Sequence, residues 1–220
     1  MSTSKVRRVY HFLNAEYGIQ SIERKRIKIS TVLGVNDPFE LLGYDVSNRA
    51  LRDLLMESRQ MFNKEFGLLC FSKSSYSPVQ WAHYGARHTG LCLGFDVNAE
   101  LLEDVIYQDV RVSDYVLPID EASQLEWVRS LLFTKCSQWA YEEEVRSFST
   151  LATEEDGLFF KVFDEDFSLA EIQVGFNCNL SRADISRALV GEAKDVSIFK
   201  VRPAFKSFQM VRNLDDRLWK

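Results

Sequence analysis

The period of the apolar positions changes several times along the first half of this chain, and each change predicts an element. Residues 9–13 read as a short strand, and 16–24 place Tyr17, Ile19 and Ile22 at the 3.6-residue spacing of a helix face. Residues 26–31 alternate basic and β-branched side chains, the period-2 pattern of a strand. Asn36-Asp37-Pro38 predicts a turn, because the proline disfavours a helical Asp37 and can itself open the next helix. A long amphipathic helix is expected over 48–66, ended by Gly67, then a buried strand over 68–71, a helical turn over 79–84 and a strand over 90–95.

In the second half, residues 105–112 and the surroundings of Val116 have strand character. Residues 121–141 carry one helical pattern, with Leu125, Val128, Leu132 and Phe133 on one face. Strands are expected over 145–149, 159–163 and 171–174, with an acidic loop over 153–157. Ser181 can cap a helix running through Val190, and strands over 196–201 and 205–211 close the chain. Strands and helices alternate early and strands dominate later, which predicts an α+β fold. With 220 residues, 46% of them hydrophobic, and no Pro/Gly/Ser-rich divider, one core and a single domain over 1–220 are expected.

Charge and cysteine usage narrow the functional classes. A net charge of -5 argues against tight nucleic-acid binding through phosphates alone, although mild basic clusters at 5–8 and 24–28 leave room for a local basic patch. Cys70, Cys92, Cys136 and Cys178 lie far apart without paired ligand spacing, and read as reduced thiols rather than zinc ligands or disulfides. No apolar signal core opens the sequence and no run approaches the roughly 20 apolar residues that span a bilayer, so a cytoplasmic protein with no membrane partner is expected.

The candidate chemistry gathers in a few short segments. Glu142 and Glu144 flank Glu143 at the entry to a strand, so they share a face with Arg146 and can form a carboxylate pair. One reading is an ion-pair cluster, with Arg146 and Lys135 neutralising the carboxylates under Trp139. The other is magnesium held by Glu142 and Glu144 together with Asp37 or Glu40, as in a divalent-metal hydrolase or nuclease. Asn36 and Asp37 can form their turn by bonding their own backbone, or line a site. No phosphate-cradling glycine loop, nucleophilic serine elbow or Cys/His signature is present.

Two resemblances arise from these residues. Asn36-Asp37-Pro38-Phe39-Glu40, Cys70-Phe71-Ser72, Trp81-Ala82-His83-Tyr84, and Lys135, Trp139 and 142–146 resemble the boxes of a bacterial domain-of-unknown-function family, DUF2971, which implies no activity. The order of elements is similar to the ADP-ribosyltransferase superfamily, in the branch of diphtheria toxin and the poly-ADP-ribose polymerases. The features matching that order are Tyr10-His11, Gly18-Ile19-Gln20-Ser21-Ile22, Ile27-Lys28-Ile29, Phe71-Ser72, Ala82 with Tyr84, Gly90-Leu91-Cys92-Leu93, and Glu171-Ile172-Gln173-Val174.

That resemblance implies a split β-sheet flanked by helices and nicotinamide adenine dinucleotide (NAD) as the substrate, with no metal. It further implies a mono-ADP-ribosyltransferase or NAD glycohydrolase acting as a toxin or phage-defence effector. The acceptor would be a protein, a nucleic acid or water, and an antitoxin or defence-system partner is implied. Glu171 would oppose the charge of the oxocarbenium, His11 would hold a ribose hydroxyl and Tyr84 would stack on nicotinamide. Tyr10, Phe71, Ser72 and His83 would complete the dinucleotide site. Asn36, Asp37, Glu40, Glu142, Glu144 and Arg146 form the competing site, and a non-enzymatic ligand-sensing or protein-binding domain is the alternative class. The transferase reading requires His11, Tyr84 and Glu171 to line one cleft. If Glu171 lies across the sheet from His11, the Glu142/Glu144 pair inherits the catalytic role.

Overall fold

A computed structural model describes residues 5–113, 120–189, 196–215, 217 and 219. In chain order its elements are β1 (Val6–Leu13), α1 (Ala15–Glu23), β2 (Arg26–Thr31), α2 (Arg49–Glu65), β3 (Phe66–Ser72), α3 (Pro78–His83) and β4 (Leu91–Asn98). These are followed by β5 (Glu103–Asp104), β6 (Ile106–Gln108), α4 (Glu121–Leu132), β7 (Thr134–Cys136) and a 3₁₀ segment, Ser137–Glu142. The chain continues through β8 (Glu144–Thr150), β9 (Glu154–Glu155), β10 (Leu158–Val162), β11 (Phe167–Val174), α5 (Arg182–Ala188), β12 (Ser197–Pro203) and β13 (Met210–Arg212).

The architecture is α+β around a large mixed sheet. Among the described residues, eleven strands join in the order β13-β12-β11-β4-β1-β3-β2-β10-β9, with β8 and β5 attached beside β3. Only β11 and β12 run parallel within it. The sheet has a gap. Strand β8 follows the whole of β3, but on the other side β2 pairs only with Gly67 and Leu68, and β1 only with Ser72. Leu69, Cys70 and Phe71 therefore have no strand on that side.

Alternation along β1 and β3 distributes the cores. Val9, Leu69, Phe71, Leu93, Phe95, Ile172 and Val174 face one side, where Ile22 of α1 and Ile185 and Ala188 of α5 cover them. On the other side, Leu68 packs with Leu51 and Leu55 of α2 and Leu131 and Leu132 of α4. Trp81 of α3 packs there with Cys92, Phe199, Val201 and Met210. The second face thus carries two apolar clusters, with the polar residues of β3 and β8 close by.

Local chemistry explains most boundaries. Asn14, Asn48, Ser77, Asp120 and Ser181 each cap a helix by accepting a backbone N–H. Several expectations need correction. Gly67 does not end α2; the helix passes into β3 at Phe66, and Gly67 lies in the strand, where an added Cβ would meet Ile29 at 2.3 Å. Pro38 opens no helix and belongs to a turn. The pattern over 121–141 is not one helix: α4 stops at Leu132, and the chain becomes β7 and then the 3₁₀ segment, because Lys135 and Glu142 are drawn into a buried ion network. The 153–157 loop contains β9, and β11 begins at Phe167, so Glu171 lies inside its strand after a register irregularity between Leu169 and Glu171. The 205–211 strand is reduced to β13, with Phe205 and Phe208 exposed before it. The helix expected to run through Val190 stops at Ala188, with Leu189 as its C-cap, while the expected strand near Val116 and the side chain of Leu125 lie outside the described residues. The four cysteines are free, and no helix among the described residues is long and apolar enough to cross a membrane.

Candidate active site

A cavity of about 260 Å³ opens at the gap in the sheet. Tyr10, His11 and Phe12 of β1, Ser30 of β2 and Cys70, Phe71 and Ser72 of β3 form its strand walls. Asn36, Gln80 and Tyr84, with Lys135, Glu142, Glu144 and Arg146, form the rest. His11 sits where the ladder is interrupted: its Nδ1–H donates to the Cys70 carbonyl at 2.9 Å, and its ring meets Phe71 edge-on at 5.9 Å. An imidazole thus satisfies a carbonyl in the stretch that β1 and β2 leave uncovered. Burial pushes the His11 pKa down despite that bond, so the ring is neutral. With Nδ1 carrying the proton, Nε2 is left as an acceptor.

The carboxylate wall is a buried network. Arg146 grips Glu40 with two nitrogens at 2.6 and 2.9 Å, Glu144 through Nε at 2.8 Å and the Leu132 carbonyl at 2.5 Å. Lys135 donates to Glu142 and, at 3.0 Å, to Glu144, and its ammonium lies 4.8 Å from the Trp139 ring centre. Tyr84 donates its hydroxyl to the other Glu142 oxygen and accepts from Asn36 Nδ2 at 2.7 Å. Burial opposes ionisation of Glu144, yet Arg146 and Lys135 hold its pKa at about 2, whereas burial keeps that of Glu40 raised despite Arg146. Burial and the bond to Glu142 raise the Tyr84 pKa, so its hydroxyl stays protonated as a donor.

In this arrangement the acidic cluster is a network of ion pairs. The Lys135 ammonium contacts both Glu142 and Glu144, so an ammonium stands where a cation shared by those carboxylates would sit. Asp37 instead accepts the Phe39 N–H at 2.9 Å in its own turn, and Glu40 is committed to Arg146. Among the described residues no group of three or more His, Cys, Asp or Glu is arranged for a metal ion.

Strand register places Glu171 elsewhere. Directly paired residues share a face, so Glu171, Gly94, Tyr10, Ser72 and Glu144 form one row across β11, β4, β1, β3 and β8. His11 pairs with Leu93, which pairs with Ile172, on the opposite face. His11 and Tyr84 line the cavity, whereas Glu171 does not; the single cleft expected for the three is not formed. Glu171 accepts from Gln173 Nε2 at 2.5 Å and from Arg8 at 3.3 Å, and Gly94 leaves room for both its Cβ and the Tyr10 ring. His83 lies outside this cavity, with Nδ1 2.9 Å from the Tyr141 hydroxyl, in a second, more open depression with Trp139.

Three positioning residues were not legible in the sequence. Gln80, buried in α3, donates to Ser72 Oγ and to the Tyr141 and Glu142 carbonyls, pinning the end of the 3₁₀ segment over the cavity. Glu143 takes φ 45°, the left-handed turn that swings Glu142 out of line with β8. The Tyr107 hydroxyl accepts the Glu144 N–H at 2.7 Å. A lone glutamine on one helical turn carries no periodic signal, and the carbonyls that Gln80 reaches and the N–H that Tyr107 accepts are distant in sequence. No family model matches the chain, and neither a curated protein nor a solved structure matches it.

Proposed function

We propose that this chain consumes NAD, as a mono-ADP-ribosyltransferase or an NAD glycohydrolase, and that the nicotinamide-ribose end of the dinucleotide enters the cavity at the sheet gap. The observation that carries the reading is Glu142, a carboxylate held by Lys135 and Tyr84 on the wall of a cavity lined by Tyr10, His11 and Phe71. Around it, among the described residues, Glu40, Glu142 and Glu144 pair with Lys135 and Arg146, three carboxylates against two cations. The surplus negative charge suits a cationic nicotinamide ring and the oxocarbenium that follows. As the bond between nicotinamide and ribose breaks, its electron pair leaves with nicotinamide. The acceptor oxygen or nitrogen then bonds to the ribose carbon and loses its proton. Glu142 opposes the positive charge between those events, Tyr84 and the rings of the cavity hold the flat amide, and neutral His11 accepts from a ribose hydroxyl. The setting in self-poisoning or phage defence rests on the resemblance, and Glu171 is the competing carboxylate.

Nicotinamide release by the purified protein tests this reading, alongside thermal stabilisation by NAD. Glu142→Gln keeps the shape and removes the charge, so turnover should fall on the order of 10²- to 10³-fold with little change in NAD affinity. Glu171→Gln should stay within about threefold of wild type. Loss of turnover in Glu171→Gln alone would transfer the role to Glu171. Wild-type protein that neither releases nicotinamide nor is stabilised by NAD would refute the proposal.

A further inference from the structure

The hairpin of β12 and β13 has a composition unlike the rest of the chain. Residues 197–213 contain Lys200, Arg202, Lys206 and Arg212 and no Asp or Glu, within a protein of net charge -5. Among the described residues, no ion pair to a carboxylate is formed by any of these four. At the tip, Phe205 is 88% and Phe208 99% exposed. Their exposure is not a fraying end, because the tip is closed by Ala204 N–H donating to the Gln209 carbonyl at 2.8 Å.

The rings and cations are interleaved. The Arg202 guanidinium lies 4.0 Å from the centre of the Phe205 ring, covering one face, while the ring's exposure shows that most of its surface is open. Arg212 lies 4.8 Å from the Phe199 ring centre in the same hairpin, and Lys206 separates the two exposed rings in sequence. The hairpin is fixed next to the candidate site close to its tip: the Met210 N–H donates to the Tyr76 carbonyl at 2.8 Å, and Met210 and Val201 pack in the cluster that Tyr10 and Phe12 join. Two exposed aromatic rings beside cations that have no carboxylate partner form the pattern that binds unpaired nucleotides, whose bases stack on the rings while phosphates meet the cations.

We infer that the β12–β13 hairpin is a docking surface for single-stranded nucleic acid, seated beside the cavity. The inference goes beyond the NAD reading and does not depend on it. The hairpin's few cations make the contact modest and strongly salt-dependent, consistent with the negative charge of the whole chain.

Fluorescence anisotropy with labelled single-stranded DNA and RNA of mixed sequence, about 20 nucleotides long, measures the contact at low and raised salt. The expected result is binding that weakens with salt at a log–log slope of roughly -1.5 to -3, that is, about two to four phosphate contacts. Phe205→Ala and Phe208→Ala should each weaken it by roughly 5- to 150-fold. Because both rings are exposed, neither change should lower the melting temperature. Lys206→Glu should weaken it as well, with a shallower salt slope. No oligonucleotide binding by the wild type, binding unchanged in the Phe variants, or equal binding of a duplex of the same length would overturn the inference. So would sedimentation with phosphatidylserine vesicles, lost in Phe205→Ala/Phe208→Ala, without oligonucleotide binding; that outcome would assign the hairpin to a membrane surface.

Discussion

Replacing Arg146 by methionine keeps much of the buried side-chain volume and removes the guanidinium that grips Glu40 and Glu144. The side chain is 1% exposed, and its bonds to Glu40 at 2.6 and 2.9 Å are the only ion pair formed by Glu40 among the described residues. Glu144 keeps Lys135 at 3.0 Å, so Glu40 is the carboxylate left alone. Breaking one side of a buried pair costs about 3–5 kcal/mol, chiefly through the unpaired charge that remains. At ~2–4 °C per kcal/mol for a chain of this size, the melting temperature should drop by roughly 6–20 °C. Glu40 already has a raised pKa, and loss of Arg146 raises it further. A carboxyl whose folded pKa exceeds its unfolded value binds more protons when folded. Its favourable contribution is therefore complete below the unfolded pKa and lost as pH rises through the folded one. The deficit of Arg146→Met relative to wild type should then be largest near about pH 7.5 and shrink toward about pH 5. Adding Glu40→Gln should recover part of the loss at neutral pH, because the orphaned charge is gone. Circular-dichroism melts of the three proteins at both pH values measure this. A single variant that melts within about 2 °C of wild type at neutral pH, or a deficit independent of pH, would refute the buried-charge reasoning.

Two further outcomes follow from the gap in the sheet and its edges. His11 should be mostly neutral at about pH 7, because burial lowers its pKa below the ordinary imidazole value, so nitrogen-detected NMR should show a protonated Nδ1 and a bare Nε2; a charged imidazole at that pH would contradict the acceptor role. Gly90→Ala places a Cβ 2.0 Å from the Leu13 carbonyl and 3.0 Å from the Gly85 backbone, neither of which can turn away. It should cost about 3 kcal/mol, read as a melting temperature lowered by roughly 6–12 °C, and an unchanged melting temperature would show that the loop between α3 and β4 yields freely.

The local chemistry of the chain determined much of its secondary structure. Capping residues such as Asn48 and Ser181 set helix starts, and the period-2 stretch over 26–31 became β2, whose Ile27 and Ile29 face the core. The aromatic and acidic boxes likewise announced that Tyr10, His11, Phe71, Tyr84, Glu142 and Glu144 deserved attention. What no local pattern could decide was which of them meet. A helical pattern over 121–141 yielded to a strand and a 3₁₀ segment, which bring Lys135 onto Glu142 and Glu144 beside the paired β3 and β8. Glu171 separated from His11 through strand register: Glu171 aligns with Gly94 and Tyr10, and the next residue of β1 points the other way. The cavity itself arises from an absence in the ladder, the stretch of β3 that β1 and β2 leave uncovered. Hydrophobic period and capping act over a few residues and are written in the sequence. Strand pairing and the neutralisation of buried charge join distant residues and are settled only when the sheet closes.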